Sequence, residues 1–257
     1  MFTFIRLIRS DFYKVRHTAI AWIHIIVPIL ISLLFVAYYA SSTATVNNVS
    51  KLVLYTQVLS IGFPLIIGIV CGMVVEQEVD AGNFQELLML KHKLLGFLSK
   101  ICMMLLMAFF SVVIAVGIFG LGLSILSHKS VFGAYFYGKI ILILLFSQIF
   151  LYILHILCSF RFGAGASIGL GIAESLVAAL MVTGLGDLVG RWLPCSFGGR
   201  IIQDYIILNN TNIISGKFQK LYVNEFSTAI YICVIATTVL FLISLLWYKY
   251  FEGRSEN

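Results

Sequence analysis

The sequence predicts an all-α integral membrane protein with six transmembrane helices, and three observations carry that prediction. Of 257 residues, 61% are hydrophobic and only 11% charged, with a mean hydropathy of +1.04, so water is not the main solvent of this chain. Six apolar runs are each close to the roughly 20 residues that a helix needs to cross a hydrocarbon core about 30 Å thick. The runs are continuous, whereas a membrane β-barrel would alternate with a period of two, and helices satisfy their own backbone in lipid.

The N-terminal stretch, Met1 to His17, sets Arg6, Arg9, Lys14 and Arg16 among Phe2, Phe4, Ile5, Leu7, Ile8, Phe12 and Tyr13, the pattern of an amphipathic helix lying on a membrane surface. The first apolar run, 18–39, is too long for a signal-peptide core and no small-residue cleavage site ends it, so it reads as a retained anchor. A short polar loop, Ser41 to Lys51, follows. The second run, 52–75, places Ser60, Pro64, Gly68 and Gly72 on one face, and small residues four apart predict close contact with another helix. The remaining runs cover 100–126, 138–160, 164–190 and 227–248, with Trp247, Tyr248 and Tyr250 at a membrane boundary. The segment 195–226, with Asp204 and several Ile and Tyr residues, is expected to carry a short surface or re-entrant helix, and the role of 193–226 is left open. No repeat or linker divides residues 1–257, which read as a single domain.

Charge placement gives orientation. With the N-terminus inside, Arg6, Arg9, Lys14, Arg16, Lys91, Lys93, Lys100, Arg161, Lys249 and Arg254 lie on the inner side. Lys51, Lys129, Lys139, Arg191, Arg200, Lys217 and Lys220 lie outside. Both termini are therefore expected in the cytoplasm, in a plasma membrane. The net charge of +6 is spread over span ends, which fits lipid headgroups rather than nucleic acid. Cys71, Cys102, Cys158 and Cys233 sit inside apolar runs and Cys195 stands in a loop, so packing is expected rather than a disulfide framework or a metal cluster.

The stretch between the second and third runs is the most informative. It opens with Glu76, Glu78 and Asp80, turns at Gly82-Asn83, then places Phe84, Leu87 and Leu88 at i, i+3, i+4, with Glu86 between them and Lys91, Lys93 and Lys100 after them. A short amphipathic helix is expected, which would dock on a soluble partner or lie on lipid. Acids before bases also merely complement a helix dipole.

These residues resemble the coupling segment of ABC-2 type transporter permeases: an acid-rich exit from the second span, Gly82, a short apolar helix, a basic pair, and Lys100 at the entry to the third span. The N-terminal helix and the six-span plan agree with that likeness. Glu76-Gln-Glu-Val-Asp-Ala-Gly-Asn-Phe-Gln and the Phe- and Ile-rich spans look similar to the lantibiotic self-protection permeases. The resemblance implies a non-catalytic membrane subunit with two kinds of protein partner, a cytosolic ABC ATPase dimer and a second permease subunit, either a copy or a relative. It also implies an amphipathic peptide substrate removed from the membrane, with ATP and Mg bound by the partner ATPase. Glu76, Glu78, Asp80, Gly82, Phe84, Glu86, Leu87 and Leu88 are then the expected ATPase-coupling residues. Another antibiotic or a lipid remains an alternative cargo.

A nucleotide site in this chain has one candidate, Gly133-Ala-Tyr-Phe-Tyr-Gly138-Lys139, but Ile140 stands where a Ser or Thr would hold magnesium. Inside the spans, Gln148, Tyr152, His155 and Ser159 form one polar stripe, and Ser167, Gly171, Glu174 and Ala178 form another, so the two are expected to face each other. An ionised Glu174 near mid-bilayer costs about 2.5–3.5 kcal/mol, so it should meet protein or a wet cavity. Glu174, with Gln148 and His155, is either part of a translocation path or a structural carboxyl bonded to a neighbour. An intramembrane enzyme using Glu174 and His155 as acid and base is a third reading. It lacks an H-E-x-x-H pair and any Ser or Cys nucleophile in a recognisable setting. Asp187 and Arg191, four apart, are expected to form an ion pair at the outer end of the fifth span.

Overall fold

Long apolar runs with few breakers fold as long helices, and in the computed structural model they do so throughout. The structure describes residues 2–42, 46–128, 131–187, 189–210 and 216–254; Lys129, part of the loop after Ser41, and part of the 193–226 segment lie outside them. The helices are α1 (Phe2–Val15), α2 (Ala19–Ser41), α3 (Asn48–Asp80), α4 (Gln85–Leu88), α5 (Lys93–Leu126), α6 (Ala134–Phe162), α7 (Ala164–Met181), α8 (Phe197–Leu208) and α9 (Gly216–Lys249). Six are long and apolar enough to cross a membrane: α2, α3, α5, α6, α7 and the stretch Gln219–Lys249 of α9. At 33 and 34 residues, α3 and α5 are each about 50 Å long, roughly 20 Å more than the hydrocarbon core requires.

Helix α3 is the axis of the bundle, packed on α7, α6 and α8. Its glycine face is closed by α7, as the spacing predicts. A β-carbon on Gly68 would stand 2.6 Å from the Ser167 carbonyl oxygen, and one on Gly72 would stand 2.9 Å from the Ala164 β-carbon. Across the same seam, a β-carbon on Gly171 would stand 2.6 Å from the Pro64 carbonyl oxygen. The two helices therefore approach at backbone distance, with dispersion contacts in place of side-chain interdigitation.

The fifth span ends earlier than the apolar run suggests. Helix α7 stops at Met181, and the chain continues through three short 3-10 turns, Gly184–Gly186, Gly190–Trp192 and Pro194–Ser196. The cause lies in α8. Arg200 Nε donates to the Met181 carbonyl at 2.7 Å and its Nη2 to the Thr183 carbonyl at 2.9 Å, capping a helix end that would otherwise leave carbonyls unpaired. Without helical geometry Asp187 and Arg191 do not pair. Asp187 meets Arg200 at 2.9 Å and Arg191 meets Glu225 at 3.6 Å.

The bundle has two ends. At the distal end Tyr55 stacks on Phe119 with centroids 3.9 Å apart, and α8 lies across α3, α6 and α9. At the proximal end α1, α4, the start of α5 and residues 251–254 gather on an aromatic cluster of Phe84, Phe97, Phe160, Tyr248 and Phe251.

Candidate functional site

The proximal end is built around buried charge. Asp11, Glu78 and Lys100 are 6%, 3% and 2% exposed, and charges so far from water persist only when paired and hydrogen-bonded. Lys100 Nζ lies 2.6 Å from Glu78 Oε1 and 3.1 Å from Asp11 Oδ1. Ser99 Oγ donates to Asp11 Oδ2 at 2.6 Å. Lys14 Nζ reaches Glu78 Oε1 at 3.0 Å and Glu86 Oε2 at 2.8 Å. Burial works against the Lys14 ammonium, but hydrogen bonds to Glu86 and Glu78 outweigh it and hold its pKa above that of an ordinary lysine. One network thus joins α1, α3, α4 and α5.

The acids before the turn divide. Glu76 Oε1 accepts from the Ala164 backbone N–H at 3.1 Å and from Arg254 Nη1 at 3.2 Å, placing a carboxylate at the N-terminus of α7, where the helix dipole favours it. Glu78 points inward, and Asp80 is exposed.

The chain then turns through three consecutive residues at positive φ: Gly82 (127°), Asn83 (50°) and Phe84 (68°). Glycine, and to a lesser degree asparagine, takes such values readily, whereas a bulky phenylalanine does not, so Phe84 is held there by its surroundings. Its ring is fully buried, with centroids 5.5 Å from Phe160 and 5.4 Å from Phe251, and its N–H donates to the Glu78 carbonyl at 3.0 Å. The expected amphipathic helix is therefore a single turn, Gln85–Leu88. Its apolar side, Phe84 and Leu87, is spent on the chain itself, with Leu88 half-buried beside it. Asp80, Gln85, Glu86, Met89, Lys91 and His92 remain exposed.

The two intramembrane stripes do meet. His155 Nδ1 lies 3.0 Å from Ser167 Oγ, and Nε2 lies 2.9 Å from Glu174 Oε2. Ser167 Oγ also lies 3.0 Å from the Gly68 carbonyl, so the row ties α6 and α7 to the backbone of α3. Serine, histidine and glutamate in a row look like a nucleophilic triad. Ser167, however, is fully buried against the α3 backbone, so its hydroxyl is closed off from any substrate. Gln148 stands apart, facing a cavity between α2, α3, α5 and α6. Gly133 to Lys139 form the cap and first turns of α6, with Lys139 over the Tyr135 ring, and no loop there cradles a phosphate.

The sequence model of the ABC-2 family transporter protein family matches residues 7–179, more than half of the chain. The chain belongs to the ABC-2 transporter family. No curated protein and no solved structure matches it significantly. As an ABC-2 permease it is the multi-pass, membrane-spanning subunit of an ABC exporter, and this family works with an ABC ATPase. The permease residues that sequence reasoning missed are Asp11 and Ser99. An acid on an otherwise basic helix, four residues before the buried Val15, was the available signal.

Proposed function

We propose that this permease removes a lantibiotic or a similar amphipathic peptide from the plasma membrane of the cell that needs protection from it, driven by a cytosolic ATPase dimer that binds ATP and Mg. The observation that supports the coupling half of this reading is the loop 81–92: exposed on its outer side, wired on its inner side through Lys14, Glu78 and Lys100 into three helices. A push on that loop moves α1, α3 and α5 together, the kind of rigid transmission that alternating access needs. The Lys and Arg bias supports a cytoplasmic position for this end and for both termini.

A second permease subunit completes the path. Helix α7 supports this with an uncovered face bearing Gly165, Gly169 and Ala173, and a β-carbon on either glycine would meet nothing within 4 Å. For the cargo, an apolar groove of about 440 Å3 lies between α6 and α9, with Ser147, Thr237 and Thr238 among its walls. A groove of this kind suits an amphipathic or lipid-like molecule better than a small polar solute, which keeps a lipid or another antibiotic as the second reading. His155 and Glu174 tie α6 to α7 and are the polar step that this reading assigns to the translocation path.

The test is to express the chain with a candidate ATPase and a candidate second permease in a lantibiotic-sensitive host. Co-purification of all three with a rise in lantibiotic tolerance supports the reading. Tolerance that rises only for a different antibiotic transfers the chain to the second reading, and labelling of loop 81–92 from outside the cell overturns the coupling proposal.

A further inference from the structure

Between α2, α3, α5 and α6 lies a partly open cavity of about 60 Å3 whose wall is almost wholly apolar. Two polar atoms in that wall are buried without a partner among the described residues: Nε2 of His24 and Nε2 of Gln148. Both side chains are more than nine-tenths buried, at 6% and 3% exposed. A buried polar atom without a partner pays the full cost of desolvation, so native proteins rarely leave one so.

The chemistry of the two atoms is complementary. His24 Nδ1 lies 2.8 Å from the Ile20 carbonyl oxygen, and only an N–H bonds to a carbonyl, so Nδ1 carries the proton. Nε2 of the neutral ring then offers a lone pair. Gln148 Nε2 offers N–H donors. Pro28, also in the wall, lacks the N–H that would have met the His24 carbonyl four residues earlier. Ser111 and Tyr152 add two hydroxyl-bearing side chains.

We infer that this cavity is a water-binding site, holding ordered water that joins His24 to Gln148. A cavity needs only about 10–15 Å3 of such space to hold a water, and a buried water needs two to four polar partners, which these walls supply. Water both donates and accepts, so it serves the Gln148 amide whichever end faces the cavity. The wall carries no cationic side chain to hold a lipid phosphate, and no carboxylate lines it to hold a cation. The result is a hydrated joint between four helices, separate from the His155–Glu174 pair and independent of which cargo the exporter carries.

Water-edited solid-state NMR of the protein in bilayers, with labelled histidine and glutamine, tests this directly. Transfer from water protons to the His24 ring, in its Nδ1–H tautomer, and to the Gln148 amide is the expected result. Melting of H24L, Q148L and the double variant in detergent gives a second readout. With water bound, each single variant strands the other group and lowers Tm by about 2–4 °C, and the double variant loses less than the sum. A dry cavity shows no transfer from water, and each single variant raises Tm by removing an unpaired atom; that outcome overturns the inference. If a variant fails to fold, the NMR measurement on the unsubstituted protein decides alone.

Discussion

Lys100 neutralises two carboxylates that water does not reach, since Asp11 and Glu78 both contact its ammonium. Removing the cation leaves both acids buried, and breaking such a pair typically costs about 3–5 kcal/mol. Lys100→Met is therefore expected to lower the melting temperature in detergent sharply. Lys14→Met should cost much less, because Lys14 is partly exposed and its contact with Glu86 is screened by solvent. At the other end, Asp204 on α8 shows the opposite electrostatics. Burial, reinforced by Glu225, lifts its carboxyl to about 7, although Arg200 and Arg191 pull it down. Below about pH 4 folded and unfolded states both carry the proton. Between about 4 and 7 only the folded state does, so stability falls as pH rises through that window and is flat above it. Asp204→Asn should remove this slope and melt higher than the parent at pH 8; equal slopes for both proteins would refute the assignment.

Helix by helix, what the sequence shows depends on how local the deciding contact is. The six apolar runs are legible because lipid demands an uninterrupted stretch, and the α3 glycine face is legible because a spacing of four needs no knowledge of the partner. The end of α7 is not. Its apolar run continues past Met181, but the helix ends there, its last carbonyl bonded to Arg200, a residue 19 positions away. In the same way Asp11 makes sense only beside Lys100, 89 positions on, and Phe84 reads as helix until the turn at Gly82-Asn83 is seen to carry it to positive φ. The α3–α7 seam makes a matched pair of predictions. Gly171→Val forces a side chain against the Pro64 carbonyl and should lower the melting temperature of the isolated subunit by several degrees, as overpacking does. Gly169→Val has open space and should leave that temperature unchanged, yet weaken co-purification of a second permease subunit if α7 is where the two meet.

Taken whole, the molecule has a proximal end tied together by one network of buried charge that joins α1, α3, α4 and α5. On the proposed reading an ATPase grips this end from outside, and the inward or outward aim of each residue decides what a substitution there reports. Glu78 is the middle acid of the run in sequence, but its carboxylate is buried against Lys100, so reversing its charge damages the fold before it can report on docking. Asp80 and Met89 are the informative positions, since both are exposed, Met89 at 84%. The double variant D80K/M89E should insert and melt like the parent while losing at least about tenfold in transport, which corresponds to only about 1.4 kcal/mol at an interface. Met89→Cys should cross-link to a cysteine on the ATPase surface in the assembled complex. If D80K/M89E exports as well as the parent and Met89→Cys gives no cross-link, the outer side of loop 81–92 is not the contact, and the motor must grip this end elsewhere.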